Sequence, residues 1–192
     1  MAPDDTDKPP TEDYLSPHQV ASLLHVSPVT VRHWAAQGKL SFVTTPGGHR
    51  RFPRAEVERL RRAQEGVGGG TRVLVVDDDR QLVGFLLEWL ASLPEPLLTE
   101  SAFDGFEAGR KLIEFRPQIV LLDLMMPGMD GFSVCRQIKE GNGGEAVRVI
   151  TMTGYHTPEN VRWARASGAD ACLSKPLDRD LLLKEMGLAG PG

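Results

Sequence analysis

The sequence predicts two domains: a mainly α winged helix-turn-helix, then a doubly wound α/β domain built on a five-stranded parallel sheet. Three observations carry that prediction. The stretch Gly66-Val67-Gly68-Gly69-Gly70 separates a basic segment from an acidic one. Before it, two short helical patterns each open on Ser-Pro. After it, five apolar runs alternate with amphipathic helical patterns, the order expected of a parallel sheet covered on both faces.

The charge divides along the chain in the same way. Residues 1–13 sum to −4, residues 14–65 to +5 and the remainder to −5, within a formal net charge of −4. A compact basic segment holding four of the five histidines, beside an acidic one, suits a nucleic-acid binder joined to a module that binds none. No apolar run approaches the roughly 20 residues that span a bilayer, and the N-terminus is acidic and proline-containing, so a cytoplasmic protein is expected. Cys135 and Cys172 are far apart in sequence and form no CxxC, which argues against a disulfide framework or a zinc site. The expected division is a disordered acidic tail at 1–13, a first domain at 14–65, a glycine linker at 66–70, a second domain at 71–188 and a short tail at 189–192.

In the first domain, Ser16-Pro17-His18-Gln19 has the form of a capping box, and a helix should run through Leu24. Ser27-Pro28 starts a second helix reaching about Gln37, with Val29, Val31 and Trp34 as its apolar positions and Gly38 ending it. Two short helices across a tight turn form a helix-turn-helix, whose second helix would offer Val29, Thr30, Arg32 and His33 to a major groove. Leu40–Thr44 and His49–Phe52 read as strands around Pro46-Gly47-Gly48, a hairpin wing carrying His49, Arg50 and Arg51 toward phosphate. Pro53–Arg62 should close the domain with Val57 and Leu60 inward.

The run from Leu15-Ser16-Pro17 through Gly47-Gly48-His49-Arg50-Arg51-Phe52 resembles the MerR superfamily of winged helix-turn-helix regulators, and within it the small BldC-like subgroup. The resemblance implies binding to double-stranded DNA. Phage excisionases share the fold, so an architectural role competes for this segment taken alone. The long dimerising helix of metal- and drug-sensing relatives is missing. Binding to direct repeats, or a homodimer or oligomer formed through the second domain, is therefore expected.

In the second domain the apolar runs are Val73–Val76, Leu97–Leu98, Ile119–Leu122, Val147–Ile150 and Ala171–Leu173. Helical patterns cover about Arg80–Ala91, Gly105–Phe115, Gly131–Lys139, Pro158–Ala166 and Asp178–Met186. Ligand sites in open α/β sheets lie beyond the carboxyl ends of strands. There the first run meets Asp77-Asp78-Asp79, the third Asp123, the fourth Thr151-Met152-Thr153-Gly154 and the fifth Ser174-Lys175-Pro176. Taken singly, each is an ordinary turn former or helix cap, and Asp79 is best read as the cap of the next helix. Four arriving at four strand ends form an acid pocket whose repelling carboxylates call for a cation, and hard oxygen donors favour Mg2+.

Val-Val-Asp77-Asp78, Leu-Leu-Asp123-Leu-Met-Met-Pro-Gly-Met-Asp-Gly, Met-Thr153-Gly154 and Ser-Lys175-Pro176 together resemble the flavodoxin-like receiver domain of two-component response regulators. The resemblance implies that Asp123 is the phosphoacceptor. It implies that Asp78 and Asp123 bind Mg2+ through their side chains and Met125 through its carbonyl, while Asp77 orients Asp78 and a metal-bound water. Thr153 would hold a phosphoryl oxygen, and Lys175, before a cis peptide to Pro176, would pair with the phosphate. The implied partner is a sensor histidine kinase or phosphotransfer protein. The protein would catalyse its own modification without turnover on a separate substrate. Cys172 stands where the family carries an aromatic residue that follows the threonine inward, and Tyr155 is a possible substitute. Tyr155 and Met125 also flank the approach of attacking water, which suggests a slowly hydrolysed phosphate. The receiver follows the DNA-binding segment, the reverse of the commonest order. Two other readings stay open: constitutive DNA binding with the receiver as an interaction module, and a phosphate sink.

Overall fold

The structure, a computed structural model, describes residues 14–65, 70–95, 97–141 and 143–188. The expected tails at 1–13 and 189–192, and residues 66–69 of the expected linker, lie outside those residues. The chain divides into two compact units between Gly69 and Gly70.

The first unit is a three-helix domain with a small sheet. Helix α1 (Pro17–Leu24) follows a complete capping box: the Gln19 amide donates to Ser16 Oγ at 3.3 Å, and the Ser16 amide donates to Gln19 Oε1 at 2.8 Å. Ser27 caps α2 (Pro28–Ala36) by accepting the Thr30 amide at 3.1 Å. Strand β1 (Tyr14–Leu15) and β2 (Val43–Thr44) flank β3 (Arg50–Pro53), both antiparallel to it. Helix α3 (Arg54–Glu65) closes the unit. Val20, Leu24, Val26, Val31, Leu40, Phe52 and Val57 form the core. Each contributes about 1.5–3 kcal/mol on full burial, which lets so small a unit hold together.

Two boundaries differ from expectation. Leu40 and Ser41 do not extend the wing strand. Leu40 is wholly buried, and the Ser41 amide and hydroxyl both donate to Glu56 Oε1 at 3.2 Å, so the backbone is committed to α3 instead of a strand partner. Pro53 ends β3 instead of starting the helix, because it lies opposite Tyr14 of β1, a strand of two residues that leaves no periodic signal.

The second unit carries β4 (Thr71–Val76), β5 (Leu97–Ala102), β6 (Ile119–Asp123), β9 (Arg148–Thr153) and β10 (Ala171–Ser174), all parallel, in the order β10-β9-β6-β4-β5. A hairpin of β7 (Met125–Met126) and β8 (Met129–Asp130) follows β6. Helices α4 (Arg80–Ser92), α5 (Gly105–Glu114), α6 (Gly131–Glu140), α7 (Pro158–Ala166) and α8 (Arg179–Met186) cover the sheet. Asp79, Asp104, Asp130, Thr157 and Asp178 cap them in turn, each side chain accepting a first-turn amide. Val73–Val76, Ile119–Leu122, Val149 and Ile150 are buried, as strands covered on both faces require.

The expected parallel sheet is present, and the strands are longer than their apolar runs. β5 continues through Thr99-Glu100-Ser101-Ala102, paired with β4 throughout, because Thr99 and Ala102 are buried and Glu100 is ion-paired with Lys111 of α5. β9 likewise extends through Thr151-Met152-Thr153, all three buried. The chain passes from β4 outward to β5 and returns to β6 on the other side, so the strand order switches between β4 and β6. Ligands of such sheets bind at that crevice.

Candidate functional site

Asp77 follows β4 and Asp123 ends β6, the two strands that border the switch point. The local sequence leaves their side chains little choice. The Asp79 amide donates to Asp77 Oδ1 at 3.0 Å and the Met125 amide to Asp123 Oδ1 at 3.2 Å, which fixes one oxygen of each carboxylate and turns the other inward. Asp77 is fully buried, Asp123 nearly so, and Asp78 is exposed beside them. One carboxylate oxygen from each of the three lies within 4.8 Å of the others. Asp79 points away, accepting the Gln81 and Leu82 amides at 2.9 and 3.1 Å as the cap of α4.

Lys175 arrives from beyond β10. Its amide donates to the Thr153 carbonyl at 2.8 Å, its peptide bond to Pro176 is cis, and its Nζ donates to Asp77 Oδ2 at 2.6 Å. The same ammonium lies 3.1 Å from Asp123 Oδ2. Burial opposes the lysine's charge, but the hydrogen bond to Asp77 and the two carboxylates outweigh it and hold its pKa above the ordinary lysine value. Asp77 is pushed the other way from a typical ion-paired acid: burial raises its pKa, against the lowering pull of Lys175 and the Asp79 amide. Among the described residues, one cation thus faces two buried carboxylates and a third exposed one, leaving the pocket with an excess of negative charge.

Thr153, at the end of β9, is fully buried, and its Oγ1 accepts the Tyr155 amide at 3.0 Å. Tyr155 is 68% exposed, with its carbonyl accepting from Asn160 Nδ2 at 2.7 Å. Cys172 is half-buried on β10, and its carbonyl is 3.0 Å from His156 Nε2. Met125 is 54% exposed at the start of the β7–β8 hairpin.

Sequence reasoning missed two features of this site. The β7–β8 hairpin is too short for a periodic signal, and Pro127-Gly128 at its turn is the one local cue that could have found it. Gly131, the first residue of α6, packs so closely on the end of β6 that an added Cβ would meet the Asp123 carbonyl and Leu124 Cα at 2.6 Å. The glycine lets α6 approach the acid-bearing strand.

In the first unit, Arg32 is exposed on α2 and Val29 is half-buried. Thr30 departs from expectation: it is 1% exposed, and its hydroxyl is 2.9 Å from Ser27 Oγ, so it supports the helix start and presents nothing to a groove. His33 is half-buried, with its Nε2 buried and lacking a hydrogen-bond partner. On the wing, the loop closes by the Thr45 amide donating to the His49 carbonyl at 2.9 Å, with Gly48 at a φ of 78° that favours glycine. His49 is exposed. The Arg50 guanidinium lies 4.6 Å from the Phe42 ring centroid, and Arg51 Nη1 donates to the Arg50 carbonyl at 3.1 Å. Both arginines are half-buried on β3.

Residues 73–186 match the response regulator receiver domain, more than half of the chain, and the protein belongs to that family. Residues 14–65 match a helix-turn-helix domain. Among its relatives is the DNA-binding response regulator MtrA of Mycobacterium tuberculosis, 39% identical over 105 residues that make up 55% of this chain and 44% of MtrA. Another is the response regulator PleD of Caulobacter vibrioides, 38% identical over 112 residues, 58% of this chain and 24% of PleD. The matches therefore span less than half the length of these curated relatives. The signal receiver domain of a DNA binding response regulator protein (merR) from Colwellia psychrerythraea 34H superposes with a TM-score of 0.58 at 38% identity, over 61% of this chain and 95% of that one.

Proposed function

We propose that the protein is a DNA-binding transcriptional regulator of a phosphorelay, switched by phosphoryl transfer from a histidine kinase or phosphotransfer protein to Asp123. The observation that carries this reading is the Lys175 ammonium held against both Asp77 and Asp123, at 2.6 and 3.1 Å, at the switch point of the sheet. A lone structural ion pair needs one acid; here a lysine, a buried hydroxyl and three carboxylates stand at the carboxyl ends of four neighbouring strands.

The donor set fits a divalent cation. Three carboxylate oxygens within 4.8 Å, two of them buried, carry more negative charge than Lys175 neutralises, and hard oxygen donors favour Mg2+ over softer metals. Asp78 and Asp123 would hold it through their side chains and Met125 through its carbonyl, with Asp77 orienting the set. When bound, the metal supplies neutralisation of charge on the incoming phosphoryl group.

A carboxylate oxygen of Asp123 attacks the phosphorus of a phosphohistidine in line. The P–O bond forms as the P–N bond breaks, and its electron pair leaves on the imidazole, which takes up a proton. Lys175 follows the charge as it moves from the Asp123 carboxylate to the phosphoryl oxygens, and Thr153 turns its hydroxyl from the Tyr155 amide toward one of them. That exchange is the local event that biases the unit between two states. With Cys172 in place of an aromatic switch residue, the movement is transmitted through the Tyr155–Asn160 segment at the start of α7.

The first unit is assigned to double-stranded DNA and, within helix-turn-helix proteins, to the BldC-like subgroup of the MerR superfamily. Val29, Arg32 and His33 on α2 face the major groove, and His49, Arg50 and Arg51 on the wing contact phosphate. Phosphorylation acts on affinity through the oligomer formed on direct repeats. Incubation with Mg2+ and acetyl phosphate, followed in parallel by intact mass, oligomer size and DNA binding, tests the whole reading. Equal DNA affinity for unmodified, phosphorylated and Asp123→Asn protein would refute phosphorylation control and leave constitutive DNA binding.

A further inference from the structure

A half-open groove of about 760 Å3 lies in the receiver at the amino ends of its central strands, at the far end of β6 from Asp123. Small organic ligands occupy pockets of that size. The second half of α5, the end of α6 and the turns that lead into β6 and β9 form it. Leu112, Ile113, Ile138 and Val147 make its walls apolar, and Ile113 is 76% exposed there. Its charged residues are Arg72 and Arg116, and no described residue lining it is acidic. That is an unusual surface for a segment whose residues 66–192 sum to −5.

The two arginines are held together without a counter-charge. The Arg72 amide donates to Gln118 Oε1 at 2.8 Å, and its Nε donates to the Arg116 carbonyl at 2.7 Å, so Arg72 is tied to the connection between α5 and β6. These bonds use one edge of its guanidinium. Among the described residues, neither the Nη groups of Arg72 nor the guanidinium of Arg116 meets a carboxylate or another acceptor. Guanidinium forks without such partners match the paired oxygens of a carboxylate or a phosphate.

Two departures from local preference fall on the same groove. Gly109 sits in the interior of α5, where alanine is the better helix former, yet an added Cβ would meet nothing within 4 Å, so packing does not require the glycine. Arg116 follows that helix at a φ of 49°, in the left-handed region that favours glycine. The first choice keeps the α5 wall low and the second adds a cation to the rim. Local costs that packing does not explain collect at functional sites.

We propose that this groove is a second ligand site of the receiver, taking a small organic anion: a carboxylate or phosphate monoester carried on an apolar body. The anion pairs with Arg72 and Arg116, and the body lies against Leu112, Ile113, Ile138 and Val147. The site is independent of the phosphorelay reading, because none of these residues belongs to the acid pocket.

The test uses the full chain and anilinonaphthalene sulfonate, an aromatic anion whose fluorescence rises in apolar surroundings, with naphthoate and adenosine monophosphate as competitors. Saturable binding that naphthoate or the nucleotide displaces is expected, and the competitor that acts at lower concentration identifies the anion. Neutral naphthalene methanol should compete about tenfold less well than naphthoate, the worth of one charge-assisted pair. Arg116→Gly supplies the residue that the left-handed turn favours, so it should melt no lower than wild type while binding the probe about tenfold more weakly. Gly109→Leu, placed in open space, should keep the fold and block the groove. Amide shifts on adding the probe should centre on Arg72, Ile113 and Val147. Absence of saturable binding, unchanged affinity in these two variants, equal competition by the neutral alcohol, or shifts centred on Asp123 and Lys175 would each overturn the proposal.

Discussion

Lys175→Met removes the cation that faces Asp77 and Asp123 while keeping the length of the stem, and its cost can be worked from the geometry. Removing one partner of a buried ion pair costs about 3–5 kcal/mol, because the remaining charge is left without compensation. Here the lysine side chain is 22% exposed while Asp77 and Asp123 are almost fully enclosed, so the loss in metal-free buffer should be about 2–4 kcal/mol. Mg2+ should then narrow the gap. A ligand at ten times its Kd stabilises by about 1.4 kcal/mol, and the variant, with a more negative pocket, should bind the ion more tightly than wild type. Urea unfolding followed by fluorescence in a Trp34→Phe background isolates the receiver, whose tryptophans are Trp89 and Trp163. A variant as stable as wild type without Mg2+, or a gap that Mg2+ leaves unchanged, would refute the assignment of Lys175 as the charge balancing this pocket.

Three further outcomes are expected. Gly131→Ala forces α6 away from β6, since the new methyl meets only backbone at 2.6–2.9 Å, and should cost about 2 kcal/mol or more in receiver stability while slowing phosphorylation from acetyl phosphate. Burial pushes the Cys135 thiol from 9.0 up to about 11, so the unfolded chain ionises first as pH rises. Receiver stability should therefore fall between about pH 9 and 11 by up to roughly 2–3 kcal/mol, and Cys135→Ala should flatten that part of the stability profile. Arg50→Ala should weaken duplex binding to all sequences alike and reduce the salt slope by about 0.9, read by anisotropy titrations at several salt concentrations.

Much of this was legible because the sheet is buried on both faces. Its strands read as apolar runs, and the first polar residue after a run, Asp77 or Asp123, had to fall at the strand's carboxyl end, where such sheets bind ligands. Caps were equally plain: Ser16 with Gln19, Ser27 and Asp79 each stand just before a helical pattern and accept its first amides. What escaped depends on partners far away in the chain. Thr99–Ala102 pairs as strand because β4 lies beside it and Lys111 reaches Glu100, neither of which a local window contains. Ser41 leaves the wing for Glu56, fifteen residues on. Thr30 has the polarity of a groove-facing residue and the helical phase of a core one, and the phase prevailed because Ser27 supplied its hydroxyl with a partner. The closeness of α6 to β6 rests on Gly131, and a glycine after Asp130 reads equally well as a turn.

Asp123 is expected to accept the phosphoryl group in a pocket completed by a divalent cation and Lys175. Localising the modification by peptide mass spectrometry after incubation with acetyl phosphate tests it most directly. One phosphoryl group on the peptide containing Asp123, formed with Mg2+, abolished by chelator and absent from Asp123→Asn, is the result expected. Modification at another residue, or undiminished modification of Asp123→Asn, would contradict it.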